Sequence, residues 1–233
     1  MLDIHCHILP EVDDGASSLE EALRMAHQAA QDGIDKIICT SHLTPSGEED
    51  ARLALFQRQR SALQNKLNAE GVPITLLAGA EILFTPEILP CIKKIDARMS
   101  GTQIFLFELP PYLPIQHIST MLFSARLAGL RPILAHPERY PQLWSGVAQL
   151  DALAEGDIFF QITGMSLLGE FGKDAQRTAA ALCRRFPKKI LLGSDAHNAV
   201  HRKPLLRDAY EALHCLAPEA WWNATANLSI LFS

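Results

Sequence analysis

Side chains that bind divalent metals recur along this 233-residue chain at or just past the ends of short apolar runs. Five of the nine histidines and four acidic residues are placed in this way. These candidates are His5, His7, Asp14, His42, Glu81, Glu108, His136, Asp195 and His197. Imidazole and carboxylate ligands without thiolate are typical of manganese, iron or zinc sites. Because the carboxyl ends of parallel strands meet at one end of a barrel, the pattern predicts a multinuclear metal centre there.

Two pairs of candidates have the spacing that places side chains on one face of a strand. His5 and His7 are separated by one residue, and so are Asp195 and His197, which directly follow the apolar run 190–193. Alternate side chains of a strand point the same way, so each pair would line the barrel mouth. A single such pair could be an ordinary polar pair in a strand. Two strand ends with the same arrangement favour metal ligation.

Glu81 and Glu108 each follow an apolar run, 76–80 and 104–107 respectively. An acidic residue taken alone is often a helix cap or a solvated loop residue. An unpaired carboxylate so close to buried strands would be unfavourable, and a bound cation would offset that cost. The remaining four histidines are expected to be surface or satisfied core residues: His27, His117, His201 and His214.

The elements that must position these residues alternate along the chain. Apolar or β-branched runs predict seven strands at Leu2–His7, Lys36–Thr40, Ile74–Ala78, Ile104–Glu108, Pro132–His136, Ile158–Ile162 and Lys189–Gly193. Helical spacing is present in Ser18–Gln31, Glu48–Glu70, Ile115–Leu127, Gly146–Ala154 and Lys173–Arg185. Strict alternation predicts an α/β fold with a closed or nearly closed parallel barrel. No glycine-rich turn follows the first strand, which disfavours an open dinucleotide-binding sheet.

Composition limits the class of protein. With 48% hydrophobic and 20% charged residues and no linker-like stretch, residues 1–233 are expected to form one domain. A net charge of −5 gives no bulk attraction to nucleic acid or anionic membrane. The chain shows neither a leader nor an apolar run of membrane-spanning length, so we expect a cytoplasmic protein. The five cysteines form no metal-like pairs and are expected to be buried free thiols: Cys6, Cys39, Cys91, Cys183 and Cys215.

Six short motifs occur in a characteristic order: 3–10 (DIHCHILP), 13–15 (DDG), 40–42 (TSH), 79–82 (GAEI), 135–140 (AHPERY) and 194–198 (SDAHN). Together they resemble the polymerase and histidinol phosphatase (PHP) superfamily. Within it they resemble the CpsB/CapC-like metal-dependent protein-tyrosine phosphatases of bacterial capsule and exopolysaccharide loci. The resemblance extends from Met1 to about Tyr210. One departure is Leu43, where related branches often have a second histidine, and this leaves the substrate range open.

The resemblance implies a distorted seven-stranded (β/α) barrel, TIM-like in architecture, with three divalent ions. Manganese is the usual metal, with iron, zinc or magnesium as alternatives. His5, His7, Glu81 and Asp195 would hold one ion, and Asp14, His42 and His197 a second. Glu81 would bridge to a third ion, completed by Glu108 and His136. The family pattern also places phosphate-binding guanidinium groups at Arg139 and Arg202.

The function implied is hydrolysis of phosphotyrosine in the tail of a bacterial tyrosine autokinase that regulates polysaccharide synthesis. The chemistry would be attack on phosphorus by a metal-bridging hydroxide. The main alternative is a phosphoesterase for a small metabolite, such as histidinol phosphate or a nucleotide. A metal-stabilised regulatory module and a metallo-amidohydrolase rank lower. The oligomeric state stays open, with a homo-oligomer among the alternatives.

The cysteine-dependent route to the same reaction needs a thiolate with an arginine six residues later. No cysteine here has that spacing, since Cys183 is followed by Lys189 and Cys91 by Ala97. Aromatic residues near the expected mouth, Tyr112, Tyr140 and Trp144, could either flank a substrate ring or pack at the rim.

Overall fold

The architecture is a parallel β-barrel surrounded by helices, seen in a computed structural model that describes residues 1–111 and 113–232. The strands are β1 Leu2–Cys6, β2 Lys36–Cys39, β3 His42–Leu43, β4 Thr75–Leu77, β5 Glu81–Leu83, β6 Ile104–Glu108, β7 Arg131–Ala135, β8 Phe159–Thr163 and β9 Ile190–Gly193. The α-helices are α1 Leu19–Asp32, α2 Glu49–Glu70, α3 Ile88–Ile92, α4 Ser119–Leu127, α5 Asp151–Ala154, α6 Gly164–Leu168, α7 Lys173–Arg185, α8 Arg207–Leu216 and α9 Pro218–Leu231. Short 3₁₀ turns fill several connections.

The strands form two parallel sheets that together make seven barrel positions. One sheet has the order β1-β2-β4 and the other β3-β5-β6-β7-β8-β9. β3 continues the line of β2 after a break, and β5 continues the line of β4. Backbone hydrogen bonds join β1 to the end of β9: the Asp195 amide donates to the His5 carbonyl at 2.7 Å, and the His7 amide to the Ala196 carbonyl at 2.8 Å. The distorted seven-stranded (β/α) barrel expected from the sequence is confirmed.

Two predicted strands end earlier than their apolar runs. At the first break, the Thr40 hydroxyl accepts a hydrogen bond from the Cys6 amide at 2.9 Å, and the Thr40 amide donates to the Cys6 carbonyl at 3.0 Å. At the second break, Gly79 packs closely against β2, and a Cβ added at Gly79 would be 2.6 Å from Ile38 Cγ2. The breaks separate β3 from β2 and β5 from β4. Because β3 pairs with β5, His42 lies opposite Glu81.

Helix boundaries follow local capping. Ser18 caps α1 by accepting from the Glu21 amide at 3.2 Å, and Gly33 ends the helix with a φ of +91°. Two predicted helices are each divided into a 3₁₀ turn and a shorter α-helix, Ile115–Ile118 before α4 and Ala148–Leu150 before α5. Among the described residues, no helix has both the length and the apolar character needed to cross a membrane.

The barrel interior below the mouth is apolar. Ile4, Leu106, Ile133 and Leu191 fill it, and Leu231 of α9 packs against the same cluster. The C-terminal helix α9 therefore packs on the barrel. Four of the five cysteines are buried free thiols, but Cys215 is exposed on α8, so the prediction was wrong for that residue.

Candidate metal centre

Glu81, the first residue of β5, lies at the centre of a group of imidazoles and is 1% exposed. Its Oε2 atom is 3.2 Å from His5 Nε2, from His7 Nε2 and from His42 Nδ1. Its Oε1 atom is 2.8 Å from His136 Nε2. These residues come from four different barrel strands or their ends, and the fold brings them together at one carboxylate.

Asp14 closes the group on its solvent side. Its Oδ1 atom is 3.3 Å from His42 Nε2 and 3.4 Å from His197 Nε2. The His197 ring lies 3.9 Å from the His7 ring, centroid to centroid. Because Asp14 is exposed and its imidazole neighbours are partly or fully buried, this edge of the group faces the approach from solvent.

Glu108 and Asp195 complete the set from opposite strands. Glu108 Oε1 is 3.3 Å from His42 Nδ1, and Glu108 Oε2 is 4.0 Å from His136 Nε2. Asp195 Oδ1 is 3.5 Å from His5 Nε2 and 3.7 Å from His7 Nε2. All nine side chains singled out in the sequence as metal ligands therefore lie in one mouth.

Three overlapping groups have ligand atoms within 4.8 Å of one another: His5 with His7 and Glu81; His7 with Asp14, His42 and His197; His42 with Glu81 and Glu108. These groups differ in detail from the sets that the resemblance implies. His7 belongs to two of them, as does His42, whereas Asp195 and His136 lie just outside. The structure thus fixes the positions of the ligand atoms, and several of these residues belong to more than one group.

The hydrogen bonds of His5 and His7 show that cations fit here. His5 Nδ1 lies 2.8 Å from the Gln161 amide oxygen, and His7 Nδ1 lies 3.0 Å from Asp13 Oδ2. Donation of Nδ1–H to these oxygens leaves each Nε2 as a lone-pair donor, and the two Nε2 atoms are 3.1 Å apart. Glu81 Oε2, also buried, has no hydrogen-bond partner. Facing lone pairs beside an unsatisfied carboxylate oxygen suit a divalent cation.

The pKa values of the buried groups also favour binding of cations at this mouth. Burial alone raises the pKa of Glu81, but His5 and His136 lower it, and the result is well below the usual value. Burial lowers the pKa of His5, yet Glu81 and Asp195 raise it to about 9. The carboxylates thus give this mouth a high affinity for positive charge. Metal ions and protons compete for the same imidazole nitrogens.

Two of the strand ends have an unusual backbone. His136 has a φ of +32° and Asp195 a φ of +53°, both in the left-handed region that non-glycine residues rarely adopt. His136 directly follows β7, and Asp195 lies two residues past the end of β9. Such strain is of order 1–3 kcal/mol per residue and is concentrated at functional sites.

Three further residues position the candidate ligands and were not assigned from the sequence. Asp13 orients His7 and also accepts from the His42 amide at 3.0 Å, while its neighbour Asp14 makes the imidazole contacts. Gln161 accepts from the His136 amide at 3.2 Å besides facing His5. Asp3 accepts from the His5 amide at 3.2 Å. Their only signal in the sequence is a polar residue within an apolar strand, or next to a stronger candidate.

The two arginines meet at one carboxylate at the rim of the mouth. Arg202 Nη2 is 2.7 Å from Asp195 Oδ2, and Arg139 Nη1 contacts the same oxygen. Both guanidinium groups are partly exposed. Arg139 comes from the 3₁₀ turn after β7, and Arg202 from a loop in which the Asn198 side chain accepts from three backbone amides.

The other sequence candidates have structural roles. The Tyr140 hydroxyl is buried, donates to the Ala135 carbonyl and accepts from the Leu109 amide, both at 3.0 Å. Trp144 donates to the Glu138 carbonyl at 3.1 Å. Tyr112 lies outside the described residues. The remaining histidines lie on helices or loops: His27 near Glu70, His117 before α4, His201 in an exposed loop, and His214 against Trp221.

Residues 1–222 match the sequence profile of a family described as capsular polysaccharide synthesis, CpsB/CapC. The chain belongs to the CpsB/CapC family. The resemblance stated from the motifs is thereby confirmed, and it covers nearly the whole chain.

Several CpsB/CapC relatives match over most of their length. The tyrosine-protein phosphatase YwqE of Bacillus subtilis strain 168 is 33% identical over 224 residues, which cover 94% of this chain and 85% of the relative. The tyrosine-protein phosphatase CpsB of Streptococcus pneumoniae is 26% identical over 226 residues, covering 91% and 89%.

Solved structures match the barrel as well. Structures of YwqE and of Streptococcus pneumoniae CpsB are described as unique metal-dependent tyrosine phosphatases, and the match has a TM-score of 0.87 at 31% identity, covering 99% of this chain and 94% of the other. A phosphotriesterase of Mycobacterium tuberculosis matches with a TM-score of 0.51 at 12% identity, covering 96% of this chain and 93% of the other. The second match shows a shared barrel fold alone.

Within this CpsB/CapC barrel, Gly15 determines how closely the Asp13-Asp14 turn approaches β1. A Cβ added at Gly15 would lie 2.1 Å from the His7 carbonyl oxygen and 2.5 Å from His7 Cβ. We expect Gly15→Ala to displace this turn and to lower the free energy of unfolding by about 1–3 kcal/mol. Urea denaturation followed by tryptophan fluorescence measures the change. Gly156→Ala is the matched control, because a Cβ added there would lie 3.2 Å from the Leu153 carbonyl oxygen, without the severe overlap found at Gly15. Equal stability of both variants would contradict this account of the turn.

Proposed function

We propose that this chain is a metal-dependent protein-tyrosine phosphatase that acts on the phosphotyrosine tail of a bacterial tyrosine kinase controlling capsule or exopolysaccharide synthesis. The observation that carries the proposal is the convergence of nine oxygen and nitrogen ligands with two guanidinium groups in one barrel mouth. The activity named for YwqE and CpsB supports it. A cytoplasmic location belongs to the same proposal and agrees with the free thiols.

The residues that would hold the metals are the nine described above, and we propose three divalent ions, manganese first, with iron, zinc or magnesium as alternatives. Divalent ions in such a site supply Lewis-acid stabilisation of phosphate oxygens and lower the pKa of bound water to roughly 7. Gln161 and Asp13 keep the His5 and His7 rings oriented so that Nε2 faces the centre. A metal site held by oriented imidazoles keeps its geometry through turnover.

Arg139 and Arg202 provide the contacts to the phosphoryl group in this proposal. A guanidinium group donates two parallel hydrogen bonds to phosphate oxygens, which fixes orientation as well as charge. Both groups lie at the rim beside Asp195, where an entering phosphate meets them before it reaches the buried ligands. The phenol of tyrosine leaves with a pKa of about 10, so the reaction needs less help from a general acid than an alkyl ester does.

The described cysteines are poorly suited to act as nucleophiles. Burial raises the pKa of Cys39, Cys91 and Cys183 to about 12, and burial also raises the pKa of Cys6 well above its ordinary value. Cys215 is exposed, but it lies on α8 rather than in the barrel mouth. At the four buried cysteines, the thiolate form that a cysteine phosphatase needs is therefore suppressed at neutral pH.

Chelation and alkylation distinguish the two chemistries. We expect EDTA followed by desalting to abolish hydrolysis of a phosphotyrosyl peptide, and manganese to restore it, because the proposed nucleophile is a water molecule that divalent ions would activate. Treatment with iodoacetamide should leave the rate unchanged. Phosphate release is measured with manganese, iron, zinc and magnesium in turn, and histidinol phosphate and a nucleotide are compared as substrates. Loss of activity on alkylation but not on chelation would refute the proposal, and a preference for either metabolite would reassign the substrate.

A further inference from the structure

Phe171 contacts both arginines of the mouth although they come from different loops. The guanidinium carbon of Arg139 is 4.9 Å from the Phe171 ring centroid, and that of Arg202 is 5.9 Å from it. Both distances are within the range of cation–π attraction, which extends to about 6 Å. Phe171 is only partly buried and is not a member of the apolar core clusters. Its neighbours therefore indicate a role at the mouth.

The loop that carries Phe171 is held in one conformation by its backbone. Residues 169–172 connect α6 to α7, and the Gly172 amide donates to the Gly169 carbonyl at 3.1 Å. Gly169 and Gly172 each have a φ of +89°, which other residues adopt only with strain. The Glu170 amide donates to the Met165 carbonyl at 3.0 Å and anchors the turn to the end of α6. A tight turn of this kind presents the Phe171 side chain in a defined direction.

Glu138 ties this region to the loop that carries Arg139. Its side chain is fully buried, and its Oε1 atom accepts from the Thr163 amide at 3.0 Å and from the Ser166 hydroxyl at 2.7 Å. Thr163 ends β8 and Ser166 lies in α6, so one carboxylate connects the residue next to Arg139 with the helix that leads to Phe171. The distance between the ring and this arginine is thus set by buried hydrogen bonds.

The two guanidinium groups also share the Asp195 Oδ2 atom. Two like charges that meet at one oxygen repel each other, and the ring offers each a second favourable contact. Arg202 Nε is buried and donates to no partner, so it has an unused hydrogen bond. Both side chains are partly exposed, so an entering phosphate can reach the two guanidinium groups at the rim.

We propose that Phe171 is a positioning residue that holds the Arg139 and Arg202 guanidinium groups side by side as an anion clamp for the phosphoryl group. The inference rests on the proposed function for the nature of the substrate, but not for the existence of the anion site. Phe171 touches no reacting atom in this account. It acts by reducing the freedom of two long side chains that must otherwise be ordered when the anion binds.

The test compares Phe171→Leu, which keeps an apolar side chain but removes the π face, with Phe171→Tyr, which keeps the ring. Binding of inorganic phosphate to the manganese-loaded protein is measured by titration calorimetry, with metal content and thermal stability recorded for each variant. We expect the Kd for phosphate to rise about tenfold in Phe171→Leu, which corresponds to about 1.4 kcal/mol, and to stay near the wild-type value in Phe171→Tyr. For a phosphotyrosyl peptide, KM should rise by a similar factor with unchanged metal content.

The outcomes separate the two proposals. Wild-type phosphate affinity in a folded, metal-loaded Phe171→Leu variant would overturn the positioning role, and so would the absence of phosphate binding by the wild-type protein. If the wild-type protein binds phosphate in a Phe171-dependent manner but hydrolyses no phosphotyrosine, the proposed function fails and the anion clamp stands. Phe123→Leu, at an exposed position on α4, is the matched control and should leave the phosphate Kd unchanged.

Discussion

Replacing Glu81 by glutamine is expected to remove metal from the protein and to lower phosphotyrosine turnover by about a thousandfold or more, equivalent to roughly 4 kcal/mol of barrier. The carboxylate is the common neighbour of His5, His7, His42 and His136, at 2.8–3.2 Å. Glutamine has nearly the same shape, but it brings no negative charge and places an N–H₂ group among lone-pair donors. The substitution therefore removes the negative charge at the middle of the centre, next to four imidazoles.

Glu87→Gln is the matched control for this variant, because Glu87 follows the same strand but is exposed. Metal content is measured by plasma mass spectrometry after desalting, and turnover with a phosphotyrosyl peptide in added manganese. We expect Glu87→Gln to match the wild type in both. A Glu81→Gln protein that keeps its full metal content and its rate would show that the imidazole cluster has another purpose.

Alanine at Arg139 or at Arg202 is expected to reduce turnover by about a hundredfold while leaving metal content intact, the scale observed when one fixed donor to developing charge is removed. Neither arginine is a candidate metal ligand, yet both contact Asp195. Because they share this partner, the double variant should lose less than the product of the two single losses. Lysine at either position should recover part of the rate, since it keeps the charge but not the paired hydrogen bonds.

The matched control is Arg184→Ala, which removes an exposed arginine from α7. Steady-state kinetics with a phosphotyrosyl peptide, together with metal analysis, measure the effect. Unchanged rates in both Arg139→Ala and Arg202→Ala would exclude a phosphate-binding role. Loss of metal in either variant would instead mean that the arginines act on the centre through Asp195.

Much of the site could be predicted because its chemistry is visible in residue type and strand position. His5 lies in β1 and His7 directly follows it, while Asp195 and His197 follow β9, so their convergence follows from barrel geometry. Glu81 was identified from its place after an apolar run. The ordinary periodicities of strands and helices likewise predicted the number of barrel positions and the main helices.

The parts that escaped prediction depend on contacts between distant segments. Asp13 and Asp14 are adjacent and of the same type. Their different roles follow from their contacts in the fold, because Asp13 orients His7 whereas Asp14 faces His42 as a candidate ligand. Gly79, at the break before β5, approaches Ile38 closely, and no local pattern reveals this contact. Phe171 is thirty or more residues from either arginine that it contacts, and its loop resembles any other glycine turn.

The seam between β1 and β9 bears on how the protein matures. The hydrogen bonds that close the barrel involve the backbones of His5, His7 and Asp195, so the first and last strands meet through candidate ligands themselves. During synthesis the N-terminal strand must wait for residues near position 197 before its partner exists. A nascent chain lacking β9 leaves one side of β1 unpaired and its two imidazoles without Asp195. We therefore expect metal uptake only by chains synthesised past about residue 197, and we expect shorter fragments to aggregate rather than to act as slow enzymes.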